Sequence, residues 1–380
     1  MRRTFKAFTY RDFRLMWAGA FTSSVGTWMQ EVAQNWLILT LTGNVVLLGF
    51  DAFLGDAPFL LFSLFGGVFA DRLDRRRILL GSQFVQMASA LLLAGLLYFG
   101  GPAYQALVPT LVDREDLPNA VALNSIQFNL ARVVGPVLAG VAFGKFGAFT
   151  CFGLNALSFL APIAALLALR RGGSAAPDRE PVMKSLKTGL KAVRDDRSLR
   201  GLVFLAFAGS FCGFPLITFL PVFARNVFHR DVKGYSGLLA VFGVGAIAGA
   251  IGVAVIGHVR RKGAVAIGMQ MAFGVLMIGF ALSRRPALSY AFLALAGASL
   301  IVVFALFMTL VQANVDDRLR GRVVSVYSLA FRGAIPLGNL ASASLAAAFS
   351  APAVLVGNGI VLFAIGSYVL ARKFGGVSDL

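Results

Sequence analysis

Five ionisable side chains stand inside long apolar stretches of this sequence: Glu31, Asp51, Asp56, Arg132 and Arg332. A charge that faces lipid at the centre of a bilayer costs roughly 3 kcal/mol on insertion scales, so each must find a partner or water. A carboxylate whose pKa follows its surroundings can take up and release a proton, and an arginine can hold a carboxylate or an anionic ligand. These residues predict proton and ion-pair chemistry rather than covalent catalysis.

Glu31 and Arg132 are predicted to meet. The first apolar stretch has one polar helical face, formed by Ser24, Thr27, Glu31, Gln34 and Asn35. A second stretch carries Asn129 and Arg132 on one stripe. At about 1.5 Å per residue, Glu31 lies roughly 24 Å and Arg132 roughly 20 Å from the same ends of their helices. The pair is a candidate proton or substrate site, or else a fixed structural ion pair.

Asp56 and Arg332 are both predicted near the membrane midplane, roughly 18 and 17 Å from opposite helix ends. No acidic residue occurs within the predicted spans of the second half, so Arg332 needs a partner from the first half or an anionic ligand. Asp51 lies five residues before Asp56, on another face. We expect Asp51 to be a hydrated carboxylate or a further member of the site.

The elements that must position these residues are membrane helices. Of 380 residues, 58% are apolar and 14% are charged, which excludes an ordinary soluble enzyme. The two cysteines and two histidines are too few for a metal cage, so no metal, disulfide framework or cofactor is expected. Eleven stretches of about 20 apolar residues are candidate spans, near 13–42, 44–70, 78–100, 119–143, 148–169, 199–223, 235–257, 263–283, 286–312, 321–348 and 352–371. An all-α polytopic membrane protein is predicted.

The net charge of +18 is distributed unevenly about these spans. One side of the membrane is taken to hold 27 of the 35 lysines and arginines. The segments placed on that side are the N-terminus, the turn at 71–77, the stretches near 113–116 and 170–200, the turns at 260–262 and 316–322, and the C-terminus. The positive-inside rule makes that side cytoplasmic. We therefore expect the excess charge to face anionic membrane lipids, with no nucleic-acid partner.

The two halves of the chain repeat at an offset of 200 residues, which pairs Arg132 with Arg332 and Pro136 with Pro336. However, 55 positions separate Arg77 from Arg132, whereas 70 separate the matching Lys262 from Arg332. The fourth helix is therefore predicted to be truncated near 100–112. The predicted organisation is an N-terminal bundle at 1–169, a cytoplasmic linker with an amphipathic helix at 170–200, a C-terminal bundle at 201–373 and a tail at 374–380.

Two motifs carry a resemblance to a known family. The turn at 67–77, GVFADRLDRRR, resembles the G-x-x-x-D-R-x-x-R-R turn of the major facilitator superfamily, and RVVGPVLAG at 132–140 is similar to its G-P-x-x-x-G export-type motif. The run from 101 to 140 is most similar to the enterobactin-exporter-like, or transmembrane secretion effector, branch. This resemblance implies two pseudo-symmetric bundles that rock about a central site, with about 11 full helices here instead of 12. It also implies that the second and eleventh helices face each other, which would make Asp56 and Arg332 a charge gate.

Each motif has a functional and a structural interpretation. The turn is either a gating latch on helix ends or a positive-inside anchor; its residues are Gly67, Asp71, Arg72, Arg75 and Arg76. The second motif is either a conformational hinge or a structural kink, because proline removes a helical hydrogen bond; its residues are Gly135, Pro136 and Gly140, with Pro336 as the repeat. Apolar residues such as Phe273, Met277 and Phe307 are expected to pack or face lipid.

The resemblance implies a secondary active transporter in the bacterial inner membrane, multi-pass, with a cytoplasmic N-terminus. The expected activity is proton-coupled efflux of an amphipathic small molecule, such as a siderophore or a drug-like compound, by a monomer that is not an enzyme. The alternative is a truncated membrane protein that does not transport and has an interaction role or no function.

Overall fold

A computed structural model describes residues 6–57, 80–87, 111–169, 182–255, 261–316, 319–372 and 376–377. In its first half, after a short 3₁₀ turn at Lys6–Thr9, the helices are α1 Arg11–Thr42, α2 at 45–57, α3 at 80–87, α4 Leu117–Phe146, α5 Ala148–Ser158 and α6 Leu160–Ala168. In the second they are α7 Val182–Asp195, α8 Arg197–Gly213, α9 Pro215–Val222, α10 Val232–Val255, α11 Lys262–Leu282, α12 Pro286–Ala313, α13 Arg320–Phe349 and α14 Ala351–Arg372. The described residues form helices and no strand, which confirms the all-α class.

Local sequence explains several helix boundaries. The carboxylate of Asp196 caps α8 by accepting hydrogen bonds from the N–H groups of Ser198 and Leu199, at 2.7 and 3.0 Å. Gly147 separates α4 from α5 with a φ of 80°, a conformation that costs glycine little. Pro286 opens α12, where the missing N–H has no helical partner to lose.

Eight helical stretches in the described residues are long and apolar enough to cross a membrane. They match eight of the eleven predicted spans. Helix α1 has 32 residues, about 48 Å, but is more polar than these eight. Much of the predicted spans near 44–70 and 78–100, and nearly all of 100–112, lies outside the described residues, so the total of eleven stays a prediction.

Two of the predicted spans each consist of two shorter helices that meet close to a proline. The stretch 148–169 is broken at Phe159, because Pro162 has no N–H to donate to the carbonyl of Ser158. The stretch 199–223 is broken at Phe214, since Pro215 likewise cannot continue the hydrogen-bond ladder. This stretch then ends in a π-helical turn, Phe223–Val227.

The chain divides into two compact units, residues 1–37 with 61–182, and residues 38–60 with 183–380. In the first unit, Gly19 lets α1 approach the backbone of Pro162 on α6. In the second, Gly297 on α12 lies against the backbone of Phe242 on α10. Small residues that permit such close approach are typical of membrane helix contacts. The predicted bundle limits at 169 and 201 stay a prediction.

Helix α7 occupies part of the predicted linker. Residues 170–181 of that linker lie outside the described residues. Leu186 and Val193 pack into the core of the second unit. Lys187, Lys191 and Arg194 are exposed. The amphipathic pattern thus places one face of α7 on protein and leaves the basic face accessible.

Candidate functional site

The first candidate site depends on a close contact between α1 and α4. A Cβ atom at Gly135 would lie 2.5 Å from Cβ of Trp28 and 2.9 Å from the carbonyl oxygen of Val25, so a larger residue does not fit. Pro136 and Gly140 are buried within the same unbroken helix. The glycine of the predicted hinge motif therefore has a packing role, and the hinge itself stays a prediction.

Arg132 lies against two neighbouring aromatic rings at this contact. Its guanidinium carbon is 5.2 Å from the ring centroid of Trp28 and 5.3 Å from that of Phe128. Within the part of the chain that the structure describes, the buried Nε atom of Arg132 has no hydrogen-bond partner. Cation–π contacts stabilise a charge without using its N–H groups, so the Nε–H remains available for another ligand.

Glu31 stands one helical turn after Trp28 on α1, and its side chain is exposed. The structure places Glu31 close enough to Arg132 for its negative charge to act on the guanidinium. An accessible carboxylate beside a caged arginine can bind a proton or can leave the arginine to a competing anion. Gln34 and Asn129, also predicted for this site, are half-buried on α1 and α4.

Further polar contacts connect the helices of this unit, through Gln127, Asn155 and Gln30, which the sequence analysis did not select, and through Ser24 of the predicted polar face. The side-chain amide of Gln127 donates a hydrogen bond to Oγ of Ser24 at 3.0 Å, joining α4 to α1. Asn155 on α5 donates to Oε1 of Gln30 at 2.7 Å. Their signal was their polarity within apolar helices, because such a group is costly in lipid unless it is paired.

The second candidate site lies within the second unit, where α2 runs beside α13. A Cβ at Gly49 would lie 2.9 Å from the carbonyl oxygen of Asn339 and would collide with the side chain of Ala343. Asp56 lies two turns further along α2, where the positive charge of Arg332 on α13 acts on its carboxyl group. Asp51 is half-buried on α2, and Pro336 is buried in α13. Asp56 and Arg332 are thus placed near each other.

An aromatic cluster near Arg332 was missed by the sequence analysis. It consists of Phe214 at the α8–α9 break, Phe304 on α12 and Phe331 on α13. The three residues are far apart in sequence, and no local pattern distinguishes them. By contrast, Phe273, Met277 and Phe307 are fully buried packing residues, as predicted.

Other predicted features are outside the reach of the structure. Gly67, Asp71, Arg72, Arg75 and Arg76 of the gating turn lie outside the described residues. Among the residues that are described, no group of three or more histidines, cysteines or carboxylates could hold a metal ion.

The fold is that of membrane transporters. A peptide transporter of the POT family aligns with a TM-score of 0.77 over 96% of this chain and 95% of its own, at 12% identity. An inward-facing bacterial homologue of the human lysosomal transporter Spinster aligns with a TM-score of 0.72 over 97% of this chain and 96% of its own, at 14% identity. At these identities the likeness shows the fold alone.

The chain belongs to the transmembrane secretion effector family of the major facilitator superfamily, whose model matches residues 3–101 and 99–375. It is 26% identical to the staphyloferrin A transporter of Staphylococcus aureus, and also to the multidrug efflux pump Tap of Mycolicibacterium fortuitum, over 86% of this chain and 87% of each relative. It is 25% identical to the enterobactin exporter EntS of Citrobacter koseri, over 84% of this chain and 82% of that protein. The chain is therefore a multi-pass membrane protein of a family of transporters.

Proposed function

We propose that this protein is a secondary active transporter that exports an amphipathic small molecule, siderophore or drug-like, in exchange for protons. Family membership supports the class of activity, and the names of the relatives support the substrate range. The observation that carries the proton step is the position of Glu31 beside Arg132. The protein works without enzymatic chemistry, as a monomer in the bacterial inner membrane with its N-terminus in the cytoplasm.

Protonation of Glu31 and occupation of Arg132 alternate in this mechanism. The ionised carboxylate neutralises Arg132, and this pairing keeps the guanidinium from the substrate. When Glu31 takes up a proton, the Arg132 charge is left without it and binds a polar or anionic group of the substrate instead. Because Trp28 and Phe128 hold the guanidinium in place, the exchange of partners needs little movement of Arg132.

Alternating access requires that some helix contact be broken in each cycle. We place one such contact at α2 and α13, where Asp56 and Arg332 act as a charge gate and Gly49 permits close packing. Opening separates the two charges, so the gate closes with a favourable Coulombic interaction that substrate binding must overcome.

The proposal is tested with inverted membrane vesicles in which a pH-sensitive dye reports an imposed proton gradient. Ethidium, erythromycin and enterobactin serve as probes, and proton release on their addition measures exchange. We expect at least one probe to release protons, and Glu31→Gln to abolish that release because the amide cannot titrate. Glu115→Gln, at an exposed carboxylate outside the spans, is the matched control and keeps full exchange. Undiminished exchange in Glu31→Gln would remove Glu31 as the proton carrier.

One observation favours the alternative of a truncated protein that does not transport. The alignment with the staphyloferrin A transporter runs over 358 positions but covers 86% of this 380-residue chain. That share is about 327 residues, so about 30 positions lack a counterpart here, more than the 20 or so of one membrane span. The two family-model matches also meet at 99–101, beside the predicted truncation. If no probe moves or exchanges with protons, this alternative replaces transport.

A further inference from the structure

Three phenylalanine rings of the second unit contact one another in a mutual cluster. The ring centroids of Phe304 and Phe331 are 4.4 Å apart at an interplanar angle of 72°. Phe214 lies 6.1 Å from Phe304 and 6.0 Å from Phe331. Edge-to-face contacts at these distances are favourable, so the rings hold one another in fixed orientations.

The rings of this cluster are only partly buried, although Phe304 and Phe331 pack against the buried core of the second unit. All three rings are half-buried. A comparable pair in the same unit, Phe223 and Phe280, has centroids 4.6 Å apart and is fully buried. The half-buried rings lie well inside their helices: at about 1.5 Å per residue, Phe304 is roughly 14 Å from the end of α12 and Phe331 roughly 17 Å from the start of α13. The cluster therefore has partly exposed ring surface away from the ends of both helices.

A polar group adjoins this aromatic surface. The ring of Tyr327 is parallel to that of Phe331, with centroids 6.3 Å apart and an interplanar angle of 4°. Tyr327 is 2% exposed, yet its hydroxyl has no hydrogen-bond partner among the described residues. A buried hydroxyl without a partner costs free energy, so a ligand that supplies one gains affinity.

We propose that Phe214, Phe304, Phe331 and Tyr327 form a binding site for a planar aromatic ring that bears an oxygen substituent. The three phenylalanine rings contact the faces and edges of the ligand ring, and the Tyr327 hydroxyl hydrogen-bonds to its oxygen. The proposed transport function gives this site its purpose, because an aromatic moiety would then be part of the exported molecule. Binding itself does not depend on transport.

The test uses the full chain in lipid nanodiscs and three probes of equal charge: 4-hydroxybenzoate, benzoate and 4-hydroxycyclohexanecarboxylate. Saturation-transfer NMR ranks their binding. We expect 4-hydroxybenzoate to bind best, and the saturated ring to bind several-fold more weakly. Phe304→Leu and Phe331→Leu keep apolar volume but remove the ring, so each weakens 4-hydroxybenzoate by about 2- to 10-fold. Tyr327→Phe reduces the preference for 4-hydroxybenzoate over benzoate.

Phe207→Leu is the control, because Phe207 is 38% exposed and stacks on Phe211 outside the cluster. It leaves all three affinities unchanged. Equal binding of the aromatic and saturated probes, or equal losses in Phe207→Leu and Phe304→Leu, overturns the site. If the protein shows no proton exchange but still binds the aromatic probes more tightly than the saturated probe, the proposed transport is contradicted and the binding site is supported. If the protein exchanges protons but binds the aromatic and saturated probes equally, the transport is supported and the binding site is contradicted.

Discussion

Arg225 donates a hydrogen bond from Nη1 to the backbone carbonyl of Leu39, which also accepts from the N–H of Gly43. Leu39 lies in the last turn of α1, at the negative end of the helix dipole. Arg225 lies in the π-helical turn that follows α9. Within the second unit, a cation from one helical segment thus stabilises the C-terminal end of another.

Replacing Arg225 by glutamine should loosen the end of α1. A hydrogen bond to a charged group contributes roughly 1.5–3 kcal/mol, so its loss should speed local amide exchange at least tenfold. Hydrogen–deuterium exchange of the peptide covering 38–48 measures the effect. Arg230→Gln, at an exposed arginine of the same segment, should leave that peptide unchanged. Equal exchange in the Arg225 variant and the native protein contradicts the contact.

Gly49→Ala should destabilise the packing of α2 on α13. The added methyl group meets Ala343 and the carbonyl of Asn339, and overpacking of this kind costs about 1–3 kcal/mol. Cys151 and Cys212 are free and buried, so a thiol-reactive dye reports thermal unfolding. Gly55→Ala is the matched control on the same helix, since no atom of the described residues lies within 4 Å of its new Cβ. Equal unfolding temperatures for the two variants would show that Gly49 is not a contact.

Reversing the charges of Asp56 and Arg332 tests the gate. Asp56→Asn and Arg332→Gln should each lower probe-driven proton exchange about tenfold, which is about 1.4 kcal/mol, because each leaves a charge without its partner. The double variant Asp56→Arg with Arg332→Asp should recover part of the activity. Glu115→Gln, at an exposed carboxylate outside the spans, is the control. A double variant no better than either single one indicates that Arg332 binds substrate instead.

The N-terminal turn should stay docked across the physiological pH range. The carboxylate of Asp116 accepts from Tyr10 Oη at 2.7 Å and pairs with Lys6 Nζ at 2.9 Å. These contacts lower the pKa of Asp116 and raise that of Tyr10. Because the pKa of Asp116 is lower in the folded state, its contacts stabilise that state at pH values above the ordinary carboxylate pKa of about 3.9. This stabilisation is lost as the pH falls through the lower pKa of the folded state. A spin label at Thr9→Cys should therefore report constant mobility from about pH 8 to about pH 5.

Asp116→Asn should raise the mobility of that label at every pH in this range. Glu115→Gln, at the exposed neighbouring carboxylate, should not change it. A mobility that rises between about pH 6 and about pH 5 in the native sequence would mean that a group of higher pKa holds the turn.

The helices could be predicted from the sequence because a chain in lipid must form its backbone hydrogen bonds within each span, and long apolar stretches identify those spans. The 200-residue repeat was equally readable: α4 and α13 each have 30 residues and one internal proline. The break at Phe214 was missed because Pro215 interrupts the hydrogen bonds without interrupting the apolar pattern. It matters for the proposed binding site, since Phe214 joins the aromatic cluster at that break.

The pairing of residues across helices was predictable only in part. Counting residues along each helix predicted that Glu31 and Arg132 lie at similar depths. Two charges at similar depths can meet if the helix faces that carry them point toward each other. The contacts of Arg132 with aromatic rings could not be predicted without the rotation of each helix about its own axis. That rotation depends on the close approach at Gly135. Spacing along a single helix cannot supply that rotation.

All three tryptophans of the chain, Trp17, Trp28 and Trp36, lie on α1. The native tryptophan emission therefore comes from one helix, and one of its three emitters touches the Arg132 guanidinium. A change in the charge of Glu31 or in the ligand of Arg132 alters the electric field at Trp28. The protein thus contains its own optical probe of the proposed proton step, and Trp28→Phe should remove the pH-dependent part of the signal while Trp17 and Trp36 continue to emit.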